Sequence, residues 1–254
     1  MRFPRIIFLL GLTLLLSATL MAQQVPRRDP QAVAILHQSL AAMGASNVQN
    51  IADTRSEVTI RSNEDGQVIE RTAVWKTLGH KAWRVETQGP DGSGVFIAND
   101  DWAVSRSGSE QEEFPSVAVG DAGNWRIPFL SILADVDDPG VAVELVEAGE
   151  AKLLHIRLRP RPKKIGLTEV MEPCDVFMDP QTFLPVRLRF SLHPSVNLLV
   201  DIPAEVEYRD YKFISGLLIP TQLRYSVRSR LVNEIFLKSF APNVGLSPTD
   251  FAVR

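Results

Sequence analysis

The stretch that decides the fold is Val206-Glu-Tyr-Arg-Asp210-Tyr-Lys-Phe-Ile-Ser-Gly216-Leu-Leu-Ile-Pro220, which continues into Leu223-Arg-Tyr-Ser-Val227. An earlier copy reads Cys174-Asp-Val-Phe-Met-Asp179-Pro-Gln-Thr-Phe-Leu-Pro185 and continues into Val186-Arg-Leu-Arg-Phe190. In both copies a strand-like run reaches an Asp, passes through a short turn to a Pro, and starts a new alternating strand. Asp and Gly suit turns, and Pro suits the first position of a strand. Because the flanks alternate apolar and basic residues, we expect an antiparallel meander with one buried and one solvated face.

The N-terminus has the pattern of an export signal. Arg2 and Arg5 precede an apolar core over residues 6–16, and Ala18 and Ala22 offer small residues for cleavage. An uncleaved anchor helix is the alternative, but the apolar stretch is short for a span, which needs about 20 residues. The sequence therefore predicts a signal peptide over residues 1–22 and a periplasmic protein that is soluble after cleavage.

Composition narrows the class of protein further. The net charge is −3, which argues against a nucleic-acid-binding protein. Cys174 is the sole cysteine, so no internal disulfide can form, and its strand context predicts a small buried hydrophobic residue. We expect residues 23–254 to form one domain, which is a monomer.

One amphipathic helix is expected at the start of that domain. Asp29 is placed to cap it, Pro30 to begin it and Gly44 to end it. Its apolar stripe contains, at helical spacing, Val33, Leu36, Leu40 and Met43, with Ile35 on the flank.

From residue 54 the hydrophobic period changes to two, which indicates short strands. Turns are expected at residues 63–66, 88–92 and 99–101, and the last strand at residues 231–240, with a short polar tail behind it. The strands are interrupted by one short, very apolar helix at residues 128–134, which begins at Pro128.

These elements, in this order, resemble the LolA/LolB-like superfamily of exported lipoprotein carriers, which includes RseB-like sensors. The matching pieces, besides the N-terminal helix and the repeated Asp-turn-Pro phrase, are Thr72-Ala-Val-Trp75-Lys76, Lys81-Ala-Trp83-Arg-Val85, the strands around Trp102, Pro128-Phe129-Leu130 and Gly245-Leu-Ser-Pro-Thr-Asp-Phe251. The specificity lies in the order, since each piece alone is weak.

The resemblance implies an α+β fold, in which a strongly curved antiparallel sheet forms a half-barrel and short helices cover its concave face. It also implies an apolar cavity that takes the acyl chain of a lipid or lipoprotein. Candidate cavity residues are Trp75, Trp83, Trp102, Phe129, Leu130 and Leu133, with ordinary core packing as the alternative for the tryptophans. In the family's carriers an Arg-Pro that latches the lid follows the Trp-x-Lys strand, whereas here Thr77-Leu78 follows Trp75-Lys76.

No catalytic or metal site is expected. The four histidines lie far apart and show no ligand spacing, and nucleophile-elbow and phosphate-binding glycine motifs are absent from the sequence. The sequence therefore predicts a binding protein without enzymatic activity, metal or cofactor. An envelope sensor or assembly module that binds a protein through the same fold is the alternative.

A basic run covers residues 157–164. We consider Arg159, Arg161, Lys163 and Lys164 as a docking site for anionic headgroups or an acidic envelope protein. The alternative is a solvated strand end and turn, kept soluble by its charges.

Overall fold

The chain forms a long antiparallel sheet with one amphipathic helix against its apolar face. The computed structural model describes residues 26–64, 66–79, 82–99, 102–115, 133, 136–147, 152–160, 163–165, 168–170, 173–194 and 196–252. The helices are α1 (Pro30–Met43) and α2 (Ser46–Gln49), and a 3₁₀ turn covers Pro248–Phe251. The strands are β1 (Asp53–Glu64), β2 (Gln67–Leu78), β3 (Ala82–Gly89), β4 (Gly92–Asn99), β5 (Trp102–Ser107), β6 (Glu110–Pro115), β7 (Ala142–Val146), β8 (Leu154–Arg159), β9 (Lys163–Ile165), β10 (Thr168–Val170), β11 (Cys174–Met178), β12 (Pro185–Leu192), β13 (Ile202–Ile214), β14 (Leu217–Val227) and β15 (Arg230–Pro242).

Thirteen of these strands form one open, curved sheet in the order β6-β5-β4-β3-β2-β1-β15-β14-β13-β12-β11-β8-β7. Strands that are consecutive in the chain are mostly neighbours, as in a meander, and β9 and β10 pair separately as a small hairpin. The long-range pairing of β1 with β15 joins the two halves, with Thr54 opposite Pro242 and Ser62 opposite Asn233. The predicted curved antiparallel sheet is thus confirmed, whereas β6 and the β9–β10 hairpin have no counterpart among the sequence-based expectations.

The two faces of the sheet differ in the way that the alternation predicts. We call the face that packs against α1 the inner face and the opposite one the outer face. The inner face contributes a continuous apolar layer across the sheet, because residues paired across antiparallel strands lie on the same side. Its buried members include Val58, Ala73, Val143, Ile156, Leu158, Val176, Leu188, Val206, Leu223 and Ile235.

The helix α1 begins and ends as its sequence signals indicate. The Asp29 carboxylate accepts hydrogen bonds from the backbone N–H groups of Gln31 and Ala32, at 2.8 and 3.2 Å. Gly44, with φ 126°, terminates the helix. The buried stripe is rotated slightly from the predicted one, because Ile35 is buried and Val33 only half-buried.

The second Asp-turn-Pro phrase folds differently from the prediction. The turn lies at Ser215 and Gly216, both with positive φ, and Asp210 instead interrupts the ladder inside β13 with φ 53°. Pro220 lies within β14, not at its start, and pairs with Tyr211. Pro is tolerated there because the pairing of β14 with β15 extends only from Gln222 onward, so β15 needs no amide donor from Pro220.

Among the described residues, no helix has the length and hydropathy required to cross a bilayer.

Candidate functional site

An aromatic cluster lies on the inner face of β2, β3 and β4. Trp75 is 4% exposed and pairs with Val85, while Trp83 is 9% exposed and pairs with Ala98. The Trp83 ring stacks on Phe96 with 4.4 Å between ring centroids. Alternation places these side chains on one face, so the structure brings together two of the three candidate tryptophans.

Trp102 does not belong to this cluster. Its neighbour Ala103 pairs with Ala98 on the inner face, so Trp102 points to the outer face, where it is 36% exposed. The expectation that it lines the same cavity as Trp75 and Trp83 is therefore wrong. The sequence pattern Trp-Ala-Val is apolar on both faces, since Val104 is also buried, and alternation alone could not assign the side.

The short apolar helix predicted at residues 128–134 falls largely outside the described residues. Phe129 and Leu130 belong to the part that is not described, and so does Pro128. Leu133 is described, is helical and is fully buried as a member of the inner core. Leu133 therefore belongs to the apolar core, and its role in a cavity remains a prediction.

The helix α1 covers a different part of the inner face. Its main contacts are with β7 and β14, in the half of the sheet away from the tryptophans. At its N-terminal end, the Arg28 guanidinium donates hydrogen bonds to the carbonyls of Asp138, Val136 and Val141. At its C-terminal end, Asn47 Nδ2 donates to the Gly216 carbonyl at 3.1 Å. The chain on either side of α1 is thus hydrogen-bonded to the segment before β7 and to the turn between β13 and β14.

Few polar groups interrupt the inner layer. The hydroxyls of Thr54 and Thr77 pair with each other at 2.9 Å, and Ser62 donates to the Asn233 side chain at 2.7 Å. The Ser39 hydroxyl on α1 is fully buried and has no hydrogen-bond partner among the described residues. This surface suits an apolar chain that carries at most a few hydrogen-bonding groups.

The outer face is charged, with cross-strand ion pairs running from β8 to β15. At its centre, Asp175 Oδ1 accepts from Arg157 at 2.7 Å and lies 2.8 Å from His155 Nε2. Burial alone would raise the pKa of Asp175, but the hydrogen bonds with Arg157 and His155 outweigh it and lower that pKa. Phe177 lies beneath this layer, stacked on His155 at 4.4 Å and with the Arg187 guanidinium 4.5 Å above its ring.

Two clefts of about 550 and 490 Å³ are lined mainly by residues of the outer face. The larger one crosses β1 to β4 and contains the charged side chains of Glu57, Glu86 and Lys238. Burial alone would raise the pKa of Glu86, but hydrogen bonds from Lys76 and Arg84 lower it. These charged, open clefts do not match the apolar cavity that the sequence predicts. No group of three His, Cys, Asp or Glu side chains in the described part of the chain has the arrangement of a metal site.

The described basic residues of this run lie in two different strands, β8 and β9. Arg159 forms an ion pair with Glu144 at 2.7 Å on the outer face, as a solvated strand would. Lys163 and Lys164 belong to β9, so this part is a short strand and not an irregular turn. Arg161 lies outside the described residues.

The tail makes structural contacts that the sequence analysis did not predict. The Asp53 carboxylate, in a residue that is 5% exposed, accepts from the backbone N–H groups of Val244 and Gly245 at 2.7 and 3.1 Å. Phe251 is buried, and the preceding carbonyl of Asp250 accepts from Arg84 on the outer face. A capping pattern at Ser247, with Pro248 next, was the available signal for the 3₁₀ turn.

Comparison with known proteins identifies the fold but no close relative. No family model matches the chain, and no curated protein matches it. A crystal structure of a LolA superfamily protein from Nitrosomonas europaea is similar at TM-score 0.56 and 12% identity, over 87% of this chain and 97% of that one. A domain described as an outer membrane lipoprotein-sorting protein, from Vibrio parahaemolyticus, is similar at TM-score 0.54 and 12% identity, over 87% and 96%. A DUF1329 family protein from Desulfovibrio piger is similar at TM-score 0.55 and 17% identity, over 87% and 97%.

The open curved sheet and the order of its elements match these structural neighbours. The resemblance noted in the sequence is therefore confirmed as a likeness of fold, and this chain has the fold of the LolA superfamily.

Proposed function

We propose that this chain is an exported, non-catalytic binding protein that holds the acyl chain of a lipid or lipoprotein against its inner face. The observation that carries the proposal is the aromatic cluster of Trp75, Trp83 and Phe96, which extends the apolar layer beyond the strands that α1 contacts most. The export signal predicted at residues 1–22 and the fold shared with lipoprotein-sorting domains support the same function.

Burial of the apolar surface of an acyl chain favours such binding. Each buried methylene contributes about 0.8 kcal/mol, so a chain with a dozen of them gains on the order of 10 kcal/mol before the costs of association. Trp75, Trp83 and Leu133 are already nine-tenths or more buried. An acyl chain that reaches these rings must therefore displace side chains that now cover them.

The proposal is tested by tryptophan quenching with a brominated fatty acid, because bromine quenches only rings that it approaches closely. The parent protein carries Trp102→Phe and Trp125→Phe, which leaves Trp75 and Trp83 as the only fluorophores of this type. Saturable quenching of this parent, with the bromine atoms in mid-chain, is the expected result.

The matched control keeps Trp102 and carries Trp75→Phe and Trp83→Phe, with Trp125→Phe again. Trp102 is on the outer face, so this control should show little quenching, and circular dichroism establishes that both proteins are folded. Equal quenching of the two proteins would show that the fatty acid associates with no preference for the inner face. Absence of quenching in the parent, together with no lipid in native mass spectra of protein from its own envelope, would exclude the carrier function.

The alternative, a module that binds a protein, has one observation in its favour. The strand β6 ends the sheet and, among the described strands, pairs with β5 only, whereas β7 at the other edge is bridged to Arg28. A partner strand could extend the sheet at β6, and Glu110, Glu112 and Glu113 would favour a basic one. Protection of β6 amides from hydrogen exchange in a stoichiometric complex would support this function, and unchanged exchange would exclude the edge.

A further inference from the structure

The connection between β12 and β13, residues 193–201, presents apolar side chains to solvent. Val196 is 93% exposed, Leu199 74% and Val200 40%. Exposed apolar side chains in a group indicate an interaction site more often than single ones do. We call this connection the apolar loop.

The apolar loop has a defined conformation at the residues that the structure describes, 193–194 and 196–201. The backbone N–H of Asn197 donates to the Pro194 carbonyl at 2.9 Å, and that of Val200 donates to the Asn197 carbonyl at 3.2 Å. The Asn197 side chain accepts from the N–H of Leu199 at 3.2 Å, and His193 at the base is 3% exposed. Consecutive turns therefore hold the apolar side chains outward, so their exposure is a property of the fold.

Two arginines lie beside the apolar loop. The turn between β14 and β15 is at the same end of the sheet, because the N–H of Arg228 donates to the carbonyl of Pro203 at 2.8 Å, at the start of β13. Arg228 and Arg230 are exposed, and neither forms an ion pair with a carboxylate of the described residues.

The basic hairpin emerges at this end too. Leu158 near the end of β8 pairs with Cys174 at the start of β11, and β12 ends next to it. The three residues 160–162 join β8 to β9, so Lys163 and Lys164 lie within about 14 Å of that end. Topology thus collects the apolar loop, two arginines and the two lysines of β9 at one end of one half of the sheet.

We propose that this end docks on an anionic membrane surface, with Val196, Leu199 and Val200 inserted among the headgroups and Arg228 and Arg230 against lipid phosphates. Interfacial binding combines buried apolar area with attraction between basic side chains and anionic lipid, and both components are present here. Asp201 is an exposed carboxylate of the loop itself. Glu64 and Asp91, from turns in the other half of the sheet, are already bound by Arg71.

A second copy of the chain fits this surface less well. Three aliphatic side chains supply far less than the roughly 1,000 Å² that a stable interface buries. A two-fold contact through this end would also bring the basic residues of both copies to one interface, where they repel each other. Docking does not depend on the proposed lipid-carrier function, since it concerns a different surface and needs no bound ligand.

The test is co-sedimentation with vesicles of equal parts phosphatidylglycerol and phosphatidylethanolamine, compared with pure phosphatidylcholine. The wild type should bind the anionic vesicles only. Leu199→Asp should lower the partition coefficient at least about tenfold, because a largely exposed leucine loses its burial in the interface. The double variant Arg228→Ala, Arg230→Ala should lower it about 25-fold at low salt, about fivefold per arginine, and the difference should vanish at high salt.

Phe213 provides the matched control. It is 74% exposed, like Leu199, but lies about 30 Å away near the opposite end of β13. Phe213→Asp should leave vesicle binding unchanged. Equal loss for Phe213→Asp and Leu199→Asp, or no loss for either, would overturn the proposal, as would sedimentation of the wild type as a dimer that Leu199→Asp dissociates.

A second measurement reports insertion directly. Cys174 is buried, so a cysteine-reactive, polarity-sensitive dye labels Leu199→Cys selectively in the folded protein. The dye emission should shift to the blue on addition of anionic vesicles, and the same dye on Phe213→Cys should not respond. A shift at both positions, or at neither, would contradict docking through the apolar loop.

Discussion

Replacing Gly44 with alanine tests whether the end of α1 is fixed against the sheet. The backbone at Gly44 has φ 126° and ψ 12°, a conformation that residues with a Cβ atom rarely adopt. A Cβ there would lie 2.9 Å from the Gly216 carbonyl oxygen and 3.0 Å from Leu217 Cδ2. The carbonyl is backbone and cannot rotate away, so the helix end must shift.

The magnitude follows from these two costs. The backbone conformation costs about 1–2 kcal/mol and the forced displacement about another 1–3. We therefore expect Gly44→Ala to lower the free energy of unfolding by about 3 kcal/mol. With a urea m-value of about 3 kcal/mol/M for a chain of this size, the midpoint should fall by about 1 M.

Gly66→Ala is the control, because Gly66 also has positive φ, 84°, but a Cβ there would meet no atom within 4 Å. It should pay only the backbone cost of about 1 kcal/mol. Urea unfolding followed by fluorescence measures both variants, and binding of anilinonaphthalene sulfonate reports whether the inner face has become accessible. Equal destabilisation by the two substitutions would refute the idea that α1 is held in place by contact with Gly216.

Two further substitutions test the outer face and the tail. Because the folded-state pKa of Asp175 is lowered, its contribution to stability, on the order of 1 kcal/mol, is present above pH 4 and is lost as the pH falls through the folded-state pKa. The free energies of unfolding of wild type and Asp175→Asn should therefore converge below about pH 4, and a gap of constant size in acid would contradict the role of the Arg157 and His155 hydrogen bonds. Asp53→Ala should lower the free energy of unfolding by about 3 kcal/mol, because it leaves two backbone N–H groups without their acceptor. Asp201→Ala, at a 73% exposed side chain, should lower it by less than about 0.5 kcal/mol. Similar thermal midpoints for these two variants would show that the tail is not held by Asp53.

Features that depend on local interactions could be predicted from the sequence. The bounds of α1 follow from Asp29, Pro30 and Gly44, whose capping chemistry acts within one helical turn. The hairpins that join β1 to β2 and β3 to β4 follow from Gly66 and Gly92, which supply positive φ. Trp75 and Trp83, which the sequence analysis considered together, lie on one buried face of β2 and β3.

The local sequence pattern did not predict the structure where two arrangements fit the same residues equally well. The side of Trp102 depends on β4 and β5 pairing in a particular register, with the outer face also covered near Val104. The position of the second turn depends on which of two turn signals the ladder of β13 and β14 uses, and the turn forms at Ser215-Gly216 instead of at Asp210. Pairing energies over the whole hairpin decided this, and they exceed the preference of one residue.

By itself, then, the sequence determined α1, most strands of the large sheet and the existence of one apolar and one charged face, because capping, turns and period-two alternation act over a few residues. Only the tertiary structure decided which side chains meet. The pairing of β1 with β15 and the bond of Asp53 to residues 244 and 245 join positions about 190 residues apart, which no local signal specifies. The same holds for the end of the sheet where the apolar loop, Arg228 and Arg230 come together, because the strand order alone makes these distant segments neighbours.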